Sequence, residues 1–139
     1  MLVNITNLYK YFNGEALLKD INFTIENKET IGLIGSNGCG KTTLLRDIVR
    51  NISNGIEQYN FKGKTVGIVD ERGEIAAMYK GIAQNDIGIR TDVIDNMPKP
   101  EGIKLLVRSM CPDVIACDEI GSVEDLKAIT SAELAEELV

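Results

Sequence analysis

The spacing of apolar and polar residues changes along the chain. Apolar and polar side chains alternate in residues 2–8 and again in residues 17–25, with the turn signal Asn13-Gly14 between them. Alternation is typical of half-buried strands, so these segments predict an antiparallel hairpin. Thr30–Ile34 is a short apolar run that predicts a buried parallel strand. After residue 40 the apolar residues recur at helical spacing, at Leu44, Leu45, Ile48, Val49 and Ile52.

The second half of the chain alternates strand-like and helix-like patterns. The runs 65–69 and 114–117 predict two more parallel strands, each followed by charged residues. Ser122, with Asp125 three residues later, predicts the start of a last helix, open to a restart at Ser131. We expect that helix to run through Glu136. Earlier in the chain we expect a short helix from Glu74 to Lys80 and then a long loop facing the site from Gly81 to Pro100. A further helix is expected from Pro100 to Cys111.

Together these elements predict an α/β fold. Helices flank a mainly parallel sheet, and an antiparallel hairpin precedes it. We interpret residues 1–139 as a single domain, with a β arm in residues 1–29 and an α/β core in residues 30–139.

A glycine-rich stretch lies between the predicted strand and the first helix. It reads Gly35-Ser36-Asn37-Gly38-Cys39-Gly40-Lys41-Thr42 and continues into Thr43, which matches G-x-x-x-x-G-K-[ST], the Walker A motif. Glycines let successive backbone N–H groups surround an anion, and the helix N-terminus adds its positive dipole. Lys41 would reach the β- and γ-phosphates of a nucleotide, and the Thr42 hydroxyl would ligate Mg²⁺. The alternative is a glycine-rich turn that meets the pattern by accident.

An acidic pair follows the last predicted strand, in the manner of a Walker B motif. Asp118 would hold Mg²⁺ through its water shell, and Glu119 would act as the general base that polarises the attacking water. The alternative is a strand that ends in solvated acids. Residues 118–121 also satisfy the D-x-x-G of GTPases, but no N-K-x-D follows them, so we expect ATP.

Composition narrows the class of partner. The 139 residues carry a net charge of −6, which disfavours binding of nucleic acid or anionic lipid by bulk electrostatics. No apolar run is long enough for a membrane span, and no signal peptide is evident, so we expect a cytoplasmic protein. Three cysteines without C-x-x-C spacing, in a chain that has no histidine, disfavour disulfides and a zinc site.

The first third of the chain resembles the opening of an ABC ATPase, most closely of the F subfamily. The resemblance is carried by residues 8–14, 17–23 and 31–45. It implies an aromatic residue that stacks on adenine, which falls on Phe12, with Tyr11 as the second choice. An aromatic residue that only packs at the end of a strand is the alternative. The serine-glycine-glycine signature of ABC ATPases is absent.

A second resemblance covers residues from about 41 to 128. The strings 66–76, 84–95 and 108–121 resemble stage III sporulation protein AA, a family similar to secretion-type ATPases. This resemblance implies acidic residues near the γ-phosphate at Glu71 and Glu74. It also implies that Arg90 and Arg108 meet phosphate from the same or a neighbouring subunit. The alternative for the arginines is a surface or salt-bridging role.

The two resemblances imply either a composite chain or a divergent protein whose N-terminal arm converged on the ABC pattern, in both cases with a RecA-like P-loop core that is shortened relative to the families. We expect it to bind Mg-ATP as an ATPase that performs conformational work on a protein partner or on another copy of itself. The alternatives are an ABC-type fragment or non-hydrolysing ATP-binding module, and a folded fragment without ligand. The strand that normally separates the phosphate-loop strand from the Asp-Glu strand is missing. We therefore expect either weak stability or direct pairing of Ile31–Ile34 with Val114–Cys117.

Overall fold

The computed structural model describes residues 3–135, and Glu136, where the last helix was predicted to run, lies outside them. The chain divides into two compact units, with the boundary between Leu44 and Leu45. The interpretation of the whole chain as one nucleotide-binding domain stays a prediction. Among the described residues, no helix is long and apolar enough to cross a membrane.

The first unit contains the predicted hairpin. Strands β1 (Val3–Phe12) and β2 (Glu15–Ile25) pair antiparallel, from Val3 opposite Ile25 to Phe12 opposite Glu15. The connecting residues Asn13 and Gly14 have φ of 50° and 84°. Positive φ at both positions is what a two-residue hairpin turn requires, so the Asn-Gly signal is confirmed.

The strand predicted at Thr30–Ile34 is wrong. Residues 29–36 have no regular secondary structure, and Ile34 is 99% exposed. Direct pairing of Ile31–Ile34 with Val114–Cys117 does not form, so of the two outcomes expected for the missing strand only weak stability stays a prediction. An apolar run becomes a strand only when a neighbouring strand takes up its backbone hydrogen bonds, and the apolar pattern alone does not supply that neighbour.

The second unit is built on a parallel sheet of three strands, in the order β6-β3-β7. Val66 lies opposite Thr91 on one side and opposite Val114 on the other. Every residue of the central strand β3 is buried. Strand bounds are Val66–Asp70 for β3, Thr91–Asp95 for β6 and Val114–Cys117 for β7, and a small hairpin consists of β4 (Met78–Tyr79) and β5 (Ile82–Ala83).

Three helices accompany the strands: α1 (Lys41–Asn54), α2 (Lys99–Ser109) and α3 (Val123–Ala135), with a 3₁₀ turn at Glu57–Tyr59. Residues from β3, α2 and α3 form one apolar core cluster, namely Val69, Ile103, Leu106 and Ala128. The capping box at the start of α3 is confirmed. The Asp125 N–H donates to Ser122 Oγ at 3.1 Å, and the Ser122 N–H donates to Asp125 Oδ2 at 3.1 Å.

Two sequence-based expectations between residues 74 and 100 are wrong. The expected helix from Glu74 to Lys80 is absent, because Ala77 and Lys80 have φ of 52° and 49°, which no right-handed helix contains. The segment 81–100, expected as a loop, contributes strand β6 to the sheet. Its turn-forming residues suggested a loop, but the central β-branched residues pair along the whole length of β3.

Candidate functional site

The glycine-rich loop of the first unit leads directly into α1, as its sequence predicts. Gly38 and Gly40 have φ of 80° and 93°. The Cys39 N–H donates to Ser36 O at 3.3 Å, and helical hydrogen bonding begins with Leu44 N–H to Gly40 O at 2.9 Å. The loop therefore places glycines at the positions where the backbone takes the left-handed conformation, next to the positive end of a helix.

Close contacts with neighbouring side chains also favour glycine in this loop. A Cβ atom on Gly35 would lie 2.7 Å from Cys39 Sγ, and one on Gly40 would lie 3.0 Å from the Leu17 side chain of β2. Only a residue without a side chain leaves the backbone of the loop this close to its neighbours.

The Lys41 ammonium lies across the loop. It donates to Gly35 O at 2.7 Å and to Ser36 O at 2.9 Å, and its Nζ is 3.9 Å from Cys39 Sγ. These acceptors are neutral, so a phosphate oxygen at the same place would be a stronger, charge-assisted partner for the ammonium.

The other residues predicted around the nucleotide differ in exposure. Phe12, at the end of β1, is 68% exposed, and Tyr11 is 62% exposed and stacks on Tyr9 with ring centroids 6.4 Å apart. Exposure leaves the Phe12 ring accessible to a ligand. Thr42 and Thr43 are partly buried in the first turn of α1, while Asn37 is exposed.

A buried carboxylate organises the segment that follows β3 in the second unit. Asp70 is fully buried, and its carboxylate accepts hydrogen bonds from the backbone N–H groups of Glu74 at 2.9 Å, Ile75 at 3.2 Å and Ala76 at 2.8 Å. Arg46 of α1 donates to the carbonyl oxygens of Glu74 and Ile75 at 2.9 and 2.8 Å. The turn after β3, which carries Glu71, is therefore held by both its N–H and its C=O groups.

Lys99 lies between two acids at the carboxyl ends of neighbouring strands. Its Nζ is 2.6 Å from Glu71 Oε2, after β3, and 2.9 Å from Asp118 Oδ1, after β7. The side chains of Lys99 and Asp118 are 5% and 3% exposed, and that of Glu71 is 39% exposed. Burial by itself lowers the pKa of Lys99, but the hydrogen bonds to Glu71 and Asp118 outweigh it and raise that pKa above its usual value. Lys99 is therefore an ammonium ion at neutral pH.

Asp118 also accepts a backbone hydrogen bond, and Glu119 lies at the surface. The Arg72 N–H donates to Asp118 Oδ2 at 3.2 Å, so each oxygen of this carboxylate has a protein donor. Glu119 forms an ion pair with the Arg72 guanidinium at 2.9 Å, and both side chains are more than half exposed. Such an exposed pair contributes little to stability and leaves Glu119 able to move.

The two arginines lie in different surroundings. The Arg90 guanidinium donates to Ser53 O at 2.9 Å and to Asn54 O at 3.4 Å. The backbone N–H of Arg90 donates to Ser53 Oγ at 2.7 Å. Arg90 thus satisfies carbonyl groups at the C-terminus of α1, the end where a cation is favourable. Arg108 is exposed in the last turn of α2. Glu74, although exposed, takes part in the contacts above through its backbone.

Comparison with known proteins decides the family. The family model described as "Sporulation stage III, protein AA" matches residues 5–135. The chain belongs to the sporulation stage III protein AA family. The match begins before the region from residue 41 that carried the resemblance in sequence, so the first unit is included in it.

Individual relatives support both resemblances. The chain is 48% identical over 100 residues to stage III sporulation protein AA of Bacillus subtilis, which covers 72% of this chain and 32% of the relative. It is 43% identical over 70 residues to the spermidine/putrescine import ATP-binding protein of Clostridium novyi, which covers 49% of this chain and 20% of the relative. It is 51% identical over 47 residues to an Fe(3+) ions import ATP-binding protein of Haemophilus influenzae, which covers 34% of this chain and 13% of the relative.

These matches confirm the likeness to both the sporulation protein AA family and the ABC ATPases over parts of the chain. The chain spans about a third of the length of the Bacillus subtilis relative. No solved structure matches it.

Two important residues of this family member are not predicted from the sequence. They are Asp70, the last residue of β3, and Lys99, the first residue of α2. The sequence pattern shows Asp70 only as one of several charges after β3, and it predicts a loop at Lys99. A signal existed for Lys99, because a lysine at the first position of a helix lies at the positive end of the dipole and needs acidic neighbours. Which acids these are depends on strand order, which local patterns do not reveal.

The cysteines of this family member differ in surroundings. Burial, with the charge of Asp118 next in effect, raises the pKa of Cys117 to about 11, so it is a thiol at neutral pH. Cys111 is exposed and Cys39 is partly buried in the glycine-rich loop. Within residues 3–135, no group of three or more histidine, cysteine or acidic side chains is arranged to hold a metal ion.

Proposed function

We propose that this chain binds Mg-ATP and is the core of an ATPase. The observation that carries the proposal is the loop before α1, where glycines with positive φ, a helix N-terminus and the Lys41 ammonium come together. The names of the relatives support ATP as the nucleotide, since two of them are ATP-binding proteins of import systems.

The residues present fit the proposed ligand. Backbone N–H groups from Ser36 to Thr42 would bind the phosphates, with Lys41 transferring from neutral carbonyls to charged phosphate oxygens. Bound Mg²⁺ would neutralise charge on the β- and γ-phosphates. Its preferred ligands are oxygens and it keeps several waters, and our candidate ligands are the Thr42 hydroxyl of the first unit and the Asp118 carboxylate of the second. Phe12, being exposed, would stack on adenine.

Hydrolysis needs a base for the attacking water. We assign this role to Glu119, whose exposed pair with Arg72 is weak enough to exchange. Glu71, Arg90 and Arg108 are the further candidates for contact with the γ-phosphate. Among them, the Arg90 guanidinium is bound to the end of α1, and its use would require the loss of two hydrogen bonds. We further propose that hydrolysis performs work on a protein partner or on a second copy of the chain in the cytoplasm.

A second candidate function is nucleotide binding without hydrolysis, as in an ATP-binding module or an ABC-type fragment. The buried pairing of Asp118 favours it, because this carboxylate is already bound by the Lys99 ammonium. In this case the phosphate loop would hold ATP while the acids remain in their ion pairs.

Binding is tested by calorimetric titration with ATP, with and without Mg²⁺, for the wild type, Lys41→Met and the control Lys127→Met. We expect binding to be lost only in Lys41→Met, because Lys127 is exposed on α3 and outside the loop. Saturating ligand should also stabilise the wild type, by about 2.7 kcal/mol at a hundredfold excess over the dissociation constant. Equal affinity in Lys41→Met and the wild type would refute the proposal.

Phosphate release distinguishes the two candidates. The ATPase predicts magnesium-dependent release that Glu119→Gln abolishes without loss of ATP binding. The binding module predicts tight binding and no release in either protein. Light scattering during the ATP titration would show whether nucleotide changes the oligomeric state.

A further inference from the structure

The position of Lys99 is unusual for a structural cation. It is the first residue of α2, preceded by Pro98 and without a side-chain cap, at the end where the helix dipole disfavours positive charge. Its ammonium is nevertheless buried, and its Nζ contacts one acid from each of two neighbouring strands, Glu71 and Asp118.

A buried ion pair contributes little net free energy to folding. Removing charges from water costs several kcal/mol, and apolar residues of similar size often serve as well. A lysine is also a point charge whose hydrogen bonds exchange readily, unlike the forked contacts of an arginine. These properties suit a cation that has to leave one partner when another ligand arrives.

The surroundings attract cations. The groove that contains Glu71 and Lys99 is also lined by Glu101, Glu119, Glu124 and Asp125, and its one further cation, Arg72, is paired with Glu119. Without Lys99, two carboxylates 2.6 and 2.9 Å from the present ammonium would share this space without a countercharge. A dication bound there would lie within a few ångströms of the ammonium when Lys99 is present, and two positive charges at that separation repel strongly.

We propose that Lys99 is a resident countercation, a positioning residue that holds Glu71 and Asp118 and keeps free divalent cations off them until the metal arrives with nucleotide. This inference rests on the proposed Mg-ATP function, which assigns Asp118 to the metal. With Mg-ATP bound, Asp118 would exchange its Lys99 contact for the water shell of the metal, and Lys99 would keep its contact with Glu71.

The test measures binding of Mn²⁺ alone to the full chain without nucleotide, by the loss of the free-ion electron paramagnetic resonance signal. We expect Lys99→Met to bind Mn²⁺ about tenfold more tightly than the wild type, because a like charge has been removed. Lys99→Arg, which keeps the charge, should restore weak binding. The control Lys104→Met removes an exposed charge from the same helix and should leave Mn²⁺ affinity unchanged.

A second variant covers the case in which Lys99→Met does not fold. Lys99→Gln removes the charge but keeps an N–H donor for Glu71 and Asp118, and its net charge equals that of the control Lys104→Met. Tighter Mn²⁺ binding in this variant supports the proposal, since bulk charge cannot explain it. Affinity equal to the wild type in the folded variants overturns it and makes Lys99 a structural clamp. ATP binding without metal is measured separately. Its absence would contradict the proposed phosphate loop, whereas unchanged Mn²⁺ affinity would contradict only the role of Lys99.

Discussion

Asp70 is the residue whose removal should most disturb the turn after β3. It is completely buried, and its two oxygens accept the backbone N–H groups of Glu74, Ile75 and Ala76. In Asp70→Ala these three donors lose their acceptor, and two of them, the N–H groups of Ile75 and Ala76, belong to fully buried residues. A buried donor without a partner costs about 1–3 kcal/mol, so we expect a loss of about 3 kcal/mol or more in the free energy of unfolding. That is a large part of the 5–15 kcal/mol typical of a domain.

The milder variant Asp70→Asn refines this prediction. One carbonyl oxygen remains, but the amide nitrogen faces an N–H donor, so the loss should be about 1–2 kcal/mol. Asp92→Asn is the matched control, because Asp92 is an exposed carboxylate on the neighbouring strand β6, and surface changes of this kind stay within about 0.5 kcal/mol.

The assay is urea unfolding followed by far-ultraviolet circular dichroism, since the chain has no tryptophan. Hydrogen exchange adds a local measurement. The amides of Glu74, Ile75 and Ala76 should be protected in the wild type and should exchange faster in both Asp70 variants. If Asp70→Ala lowers stability no more than Asp92→Asn does, or leaves these amides protected, the carboxylate does not hold the turn.

Three further predictions concern the core, the start of α3 and the thiols. Gly102→Ala should destabilise by about 1–3 kcal/mol in urea unfolding despite better helix propensity, because its Cβ would lie 2.6 Å from Val69 Cγ1, and adding Val69→Ala should recover part of the loss. Burial by itself raises the pKa of Asp125, but hydrogen bonds from the backbone N–H groups and hydroxyl of the preceding turn lower it below its usual 3.8. The Asp125 carboxylate therefore contributes fully to stability above pH 3.8, and this contribution is lost as the pH falls through the folded-state pKa. When the free energy of unfolding is measured against pH, the curve below pH 3.8 should be flatter for Asp125→Asn than for the wild type. With Ellman's reagent at pH 7.5, Cys39 and Cys111 should react first, and Cys117, with its pKa of about 11, should react only on unfolding. Equal reaction rates for all three thiols would contradict this prediction.

The features that the sequence by itself determined are those set by neighbours along the chain. The turn at Asn13-Gly14 needs two residues that accept positive φ, and the capping box needs only Ser122 and Asp125 three residues apart. The glycine-rich loop belongs to the same class, because its glycines and the helix that follows are contiguous. Strands were also predicted at 65–69 and 114–117, and the structure has them at 66–70 and 114–117, although the same kind of apolar run at Thr30–Ile34 forms no strand.

Only the tertiary structure decided which segments join the sheet and which charges meet. Thr30–Ile34 is as apolar as a strand but forms none in the structure. Residues 91–95 have the sequence pattern of a loop but form a strand that pairs with β3. Lys99 meets Glu71 and Asp118 because α2 begins near the carboxyl ends of two adjacent parallel strands. Such contacts join residues 19 and 28 positions apart, and their energy comes from burial and pairing that no local pattern contains.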